Sequence, residues 1–239
     1  METEIPAMLR AREAIAPERF TFHSSRMRMR KVTKEELASM DAQAARCAAE
    51  LSDAKVDVMG YACLVAIMSA GLGYHNTARQ NLEAAAAAAD SAAPVVTSAG
   101  ALLEGLRLIG AKKVAVIAPY HRSLTDMVVD YIENEGFTVH DRIALEVTDN
   151  LEVGRLDPAH LLGHARKLDV RGCDAVVLSA CVQMPSLPSV QPVEDMLNLP
   201  VVSAATCTVH SLLTSMGLAP IVPNAGELLS GRYEIRKVA

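Results

Sequence analysis

The sequence predicts an α/β protein of two pseudo-symmetric, Rossmann-like lobes with parallel sheets and a cleft between them. Three observations carry that expectation. Short apolar runs rich in Val recur along the chain, helical patterns separate them, and the second half of the chain repeats the plan of the first. Strands covered by helices on both faces must be apolar on both sides, and these runs are.

In chain order, Thr33 with Glu36 forms a capping-box pattern ahead of Leu37, Met40, Cys47 and Leu51, whose spacing predicts one helix. "VDVMG" (56–60) is the first expected strand and runs into "YAC". "SAGLGYHN" (69–76) is a glycine loop, suited to a lid, before a helix expected to be capped by Asn76. That helix contains "EAAAAAA", where high propensity and small side chains favour close packing. "PVVTS" (94–98) and "KVAVIA" (113–118) are further strands. A helical pattern through "LTDMVVDYIENEG" leads to "FTV", and Asp157-Pro158 marks the start of another helix. "DAVVLS" (174–179) and "PVVSA" (200–204) complete the strand set. Between them "QMPSLPSVQP" reads as a stiff, proline-rich connection shaping a rim.

The internal repeat is the most informative feature. "DVMGYACLVAIM" lines up with "AVVLSACVQMPS" so that Cys63 and Cys181 coincide. "PVVTSAGALLEGLRLIG" lines up with "PVVSAATCTVHSLLTSMG". The expected lobes are residues 1–97 with 204–239, and residues 98–203. The second half opens on the strand "KVAVIA" and its loop, whereas the first half starts inside the matching helix. The first lobe is therefore expected to lack its leading strand.

Bulk properties narrow the partners. The chain has 239 residues, is 51% hydrophobic and only 3% aromatic, enough for an aliphatic core. Its net charge of -5, with no basic block interleaved with aromatics, speaks against nucleic acid. No apolar stretch is long enough for a membrane span, and "METEIPAMLR" does not read as a signal peptide. Five cysteines without a C-x-x-C pair suggest neither a disulfide framework nor a zinc site, so a reducing cytoplasm and a small-molecule ligand are expected.

Ligands of open α/β sheets bind beyond the carboxyl ends of strands. Cys63 and Cys181 both fall there, at one repeat position, which favours catalysis over the space-filling role assigned to Cys47, Cys173 and Cys207. Tyr120 ends "KVAVIAPY" in the same layer, and Asn150 sits in the polar turn of "EVTDN". His75 and His121 are read as solvated loop residues.

With "GYACLVA", "APYHRS", "TDN" and "SACVQMPS" in this order, the chain resembles the aspartate/glutamate racemase superfamily and, within it, the maleate cis-trans isomerases. The resemblance runs from Met1 to about Tyr233. It implies Cys63 as nucleophile, Cys181 as partner acid/base, and Tyr120 and Asn150 as holders of substrate carboxylates. A further Asn, in the loop after the family's leading strand, has no position here. The resemblance implies a small dicarboxylate substrate (maleate or fumarate), a cysteine-linked succinyl intermediate, no cofactor or metal, and a homodimer or larger homo-oligomer. Two alternatives stand beside it: an amino-acid racemase with two facing cysteines, or a dicarboxylate-binding protein without turnover. Racemases typically follow their cysteines with Asn-Thr and Thr-Glu. Here Leu64 and Val65 follow Cys63, and Val182 follows Cys181, so an apolar wall facing an unsaturated diacid is expected.

Overall fold

The computed structural model describes residues 2–233. Helix α1 (Glu4–Arg12) comes first, then an extended stretch, then α2 (Lys34–Asp41) and α3 (Ala44–Asp53). The one helix expected from Leu37 to Leu51 is broken at Ala42 and Gln43. The break lets α2 pack on α4 (Leu64–Ser69) and α3 on α5 (Tyr74–Ala88). Thr33 does cap α2, its hydroxyl accepting from Glu36 N at 3.4 Å. The reciprocal half of the capping box is absent, because the Glu36 carboxylate instead accepts from the amides of Arg30 and Lys31 at 2.6 and 2.9 Å. Within the alanine run of α5 Ala86 is buried while Ala84, Ala87 and Ala88 are exposed; Ala78, Leu82 and Ala86 form the buried stripe of the helix, which packs on α3 with its buried Ala44 and Ala48.

Two parallel sheets form. The smaller pairs β1 (Met59–Tyr61) with β2 (Val95–Thr97), Met59 opposite Val95 and Tyr61 opposite Thr97. After α6 (Ser98–Leu108) the larger sheet begins with β3 (Lys113–Ala118). It continues through α7 (Arg122–Asn134), β4 (Thr138–Ala144), α8 (Asn150–Val153), α9 (Ala159–Ala165), β5 (Ala175–Ser179), α10 (Leu187–Leu197), β6 (Val201–Ser203) and α11 (Ala204–Ser215). Its strand order is β4-β3-β5-β6, all parallel. Strands β3 and β5 are buried almost throughout, as central parallel strands must be, whereas β4 alternates between exposed and half-buried residues, the mark of an edge. No helix among the described residues is long and apolar enough to cross a membrane.

The proline-rich stretch differs from the expected connection. Helix α10 starts inside it, with Pro188 in the first turn, where a missing N–H leaves no bond unmade, and Pro192 further along. The Glu4 carboxylate reaches this point from α1, accepting from Ser186 N at 2.6 Å and from the Ser186 hydroxyl at 3.2 Å. It thereby satisfies amides at the start of α10 that helix geometry leaves unpaired.

The repeat is visible in how each short strand turns into a helix. Thr97 ends β2 and caps α6, accepting from Gly100 N at 3.3 Å. Ser203 ends β6 and caps α11 in a full capping box with Thr206. The two helices then pack against each other at the centre of the molecule. Gly105 makes this approach possible: a Cβ there would lie 2.6 Å from Cys207 Sγ and 3.3 Å from Leu228 Cδ2.

Gly105→Ala is therefore expected to lose about 1–3 kcal/mol of stability to overpacking, in spite of alanine's better helix propensity. Urea denaturation measures it. Adding Cys207→Ala should return part of the loss by removing the sulfur in the way. A Gly105→Ala protein as stable as wild type would contradict the close approach.

Candidate functional site

Cys63 follows β1 and is the residue from which α4 starts. It is half-buried and sits on the wall of a cavity of about 380 Å³, together with Asn150, Val182, Gln183, Met27 and Met29. Cys181 follows β5 at the equivalent place and is 6% exposed. Its sulfur accepts from Gln183 N at 3.4 Å, and its carbonyl accepts from the Ser179 hydroxyl at 2.8 Å. Tyr120, just beyond β3, is 3% exposed and donates to the Ala180 carbonyl at 3.3 Å.

The three groups feel one another electrostatically. Burial pushes the Cys63 thiol up to about 12; the Ala66 amide opposes this, and negative charge on Cys181 and on Asp41 adds to it. Burial also drives the Tyr120 phenol well above its ordinary range, with Cys181 and then Cys63 contributing in the same direction. Cys63 is thus a neutral thiol at neutral pH, and the Tyr120 phenol stays a hydrogen-bond donor there.

Asn150 opens α8, a one-turn helix held by Asp149, whose carboxylate accepts from Leu151 N and Glu152 N at 2.8 and 3.0 Å. Its carbonyl accepts from the Gln183 side chain, which ties the Asn150 turn to the loop after Cys181. Sequence alone places Gln183 two residues after Cys181 and passes over this tie. It passes over Asp41 as well: the Asp41 carboxylate accepts from Tyr61 Oη and from Tyr74 Oη, both at 2.6 Å, on either side of the Cys63 segment. No local motif signals that contact.

Several expectations are corrected here. Leu64 and Val65 do not line the cavity. As the first residues of α4 they turn inward, 1% and 2% exposed, and join the core. Val182 does lie on the wall. Cys47, read as core, is buried yet also reaches the wall. His75 is not solvated: it is 8% exposed and its Nδ1 lies 2.7 Å from Tyr131 Oη, while burial lowers its pKa. His121 starts α7 with its Nδ1 2.9 Å from Ser123 Oγ. Asn76 does not cap α5. Gly73, at φ +72°, takes that place, and the Asn76 side chain contacts His75 Nε2 at 3.1 Å.

The pattern of the arylmalonate decarboxylase family matches residues 6–229. A maleate isomerase of Pseudomonas putida is 61% identical over 233 residues, 98% of this chain and 93% of that one. Among solved structures, a maleate isomerase from Pseudomonas putida S16 with maleate superposes with a TM-score of 0.96 at 56% identity, covering 97% of this chain and 93% of that one. A cysteine-to-serine variant of the Nocardia farcinica maleate cis-trans isomerase, carrying a covalently bound succinylcysteine intermediate, matches with a TM-score of 0.92. Its identity is 47%, over 96% of this chain and 92% of that one.

Because the Cys63 thiol is held protonated, its alkylation by iodoacetamide in the ligand-free protein should be slow at pH 8. It should climb about tenfold per pH unit to beyond pH 10, since only the thiolate reacts. Peptide mapping by mass spectrometry separates Cys63 from the other four cysteines. A rate that levels off below pH 8 would contradict the buried, neutral thiol.

Proposed function

We infer that this chain, which belongs to the arylmalonate decarboxylase family and to the maleate isomerases within its reach, converts maleate to fumarate through a cysteine-linked succinyl intermediate. The observation that carries this reading is the placement of two thiols two residues beyond equivalent strand ends, Cys63 on the cavity wall and Cys181 directly before Val182 and Gln183 of the same wall, in a chain so similar to maleate isomerases. Rotation about a C=C bond is too slow thermally, so the enzyme must make it a single bond for a time, and addition of a nucleophile does so.

We assign the steps as follows. Cys63 Sγ bonds to one alkene carbon as its proton passes to Cys181 Sγ, which releases its own proton toward the other alkene carbon. The π pair moves to the other carbon and into its carboxylate. Cys181 protonates that carbon, so that S–H and C=C have become C–S and C–H. The new single bond rotates, Cys181 takes the carbon's proton back while passing its own to Cys63 Sγ as the C–S bond breaks, and fumarate departs. This order suits a thiol held near 12, since no thiolate need stand free beside a dianionic substrate.

Charge builds up on the carboxylate conjugated to the carbanionic carbon, and donors aimed there supply most of the acceleration. Tyr120, kept protonated by its burial, and the side chain of Asn150 on the cavity wall are the groups we assign to it. Val182 adds an apolar wall, and the backbone after Cys181 lies within reach of the same space.

We further read the lobes as residues 1–97 with 204–239, and 98–203, a division supported by the packing of α11 against α1, β1 and β2. A homodimer or larger homo-oligomer acting in the cytoplasm completes the reading. Five free thiols suit a reducing compartment. Sedimentation velocity at micromolar protein tests the assembly, and a monomer would overturn that part.

Proton NMR of maleate with the enzyme should show fumarate growing in. Cys63→Ala should abolish both turnover and the succinyl adduct seen by intact-protein mass spectrometry. Tyr120→Phe and Asn150→Ala should each lower kcat by about 100-fold, the usual effect of removing one donor to a developing oxyanion. An active Cys63→Ala enzyme would sink the mechanism.

A further inference from the structure

We propose that Asp41 is a positioning residue for the isomerisation, which staples both ends of the segment carrying Cys63 through its two tyrosine hydrogen bonds. The proposal rests on Cys63 being the nucleophile. Tyr61 lies in β1, two residues before Cys63, and is 4% exposed. Tyr74 opens α5 after the turn through Gly71 and Gly73, both at positive φ. Everything between the two phenols, Cys63 and α4 included, is therefore tied at each end to one carboxylate. The two contacts of 2.6 Å are short, as expected when a hydroxyl donates to an ionised oxygen.

The place is an unfavourable one for a carboxylate on general grounds, which is why a role is worth assigning. Asp41 is the last residue of α2, where the helix end is already electronegative. No Lys, Arg or His among the described residues forms an ion pair with it. Its charge also opposes ionisation of Cys63, the residue it holds. The geometric hold and the electrostatic penalty thus act in opposite directions, and they can be separated by substitution. The titratable groups that act on Cys63 are Asp41 from α2 and Cys181 from the loop after β5, while the phenols of Tyr61 and Tyr120 feel its charge in return.

An asparagine keeps the shape, since its oxygen accepts from one phenol and its NH2 donates to the other, but it removes the charge. Asp41→Asn should therefore retain kcat within about threefold while moving the pH profile of Cys63 alkylation to lower pH. Asp41→Ala frees both phenols and should lower kcat by about 100-fold, the scale of a misplaced reacting group. KM should change little, because Tyr120 and Asn150 sit on other elements. Should Asp41→Ala fail to fold, Tyr74→Phe carries the test, with a fall in kcat of at least about threefold at constant KM. An Asp41→Asn profile that does not move, or Asp41→Ala (or Tyr74→Phe in its place) with wild-type kcat, would overturn the proposal. Alkylation reads Cys63 without turnover, so this failure is distinguishable from failure of the catalytic reading, which shows as activity in Cys63→Ala.

Discussion

Where α6 crosses α11, the two helices come so close that a single methyl on Gly105 would collide with the sulfur of Cys207. Each helix springs directly from a short strand, α6 from Thr97 at the end of β2 and α11 from Ser203 at the end of β6, and each is capped by that strand's last hydroxyl. Fixing the crossing therefore fixes the carboxyl ends of β2 and β6 relative to one another. Their neighbours β1 and β5 are locked to them by parallel pairing, and these are the strands that deliver Cys63 and Cys181. The separation of the two sulfurs is thus set by helix packing in a buried core, which is stiffer than any loop contact.

A cleft built this way brings its thiols into apolar surroundings, and the electrostatics follow from that. Desolvation is the first cause of the upward shift at both Cys63 and Tyr120, ahead of any charge. A dianionic substrate would make a standing thiolate less favourable still. In the proposed mechanism, moving the proton together with the carbon–sulfur bond avoids accumulating charge on sulfur and leaves it on the carboxylates, the charge assigned to Tyr120 and Asn150. The same burial that keeps the Cys63 thiol protonated keeps the Tyr120 phenol a donor.

Much of this was legible in the sequence, because the periodicity of buried strands and the repeat are written in local residues. The run Lys113–Ala118 is a strand over the expected residues, and Cys63 and Cys181 each follow the end of a strand by two residues, Cys63 on the cavity wall. What sequence reading missed depends on contacts distant along the chain. The edge strand β4 was glimpsed only as "FTV", since an edge alternates with solvent and lacks a continuous apolar run. Leu64 and Val65 were assigned to the substrate wall because they follow Cys63, but α4 begins at once and its first side chains turn into the core. The contacts of Asp41 and Gln183 carry no local signal, because their partners, Tyr61 and Tyr74 in one case and Asn150 in the other, lie well away in sequence.

The central claim is that Cys63 and Cys181 face one space closely enough to act on one substrate carbon pair. Titration with phenylarsine oxide, whose arsenic bridges two neighbouring thiols, tests it most directly, with binding read by intact-protein mass spectrometry under denaturation-free conditions. The account predicts one arsenical per chain, bound in the wild-type protein, protected by maleate, and lost in both Cys63→Ala and Cys181→Ala. Retention of the arsenical in either single variant, or no bridging in the wild-type protein, would contradict it.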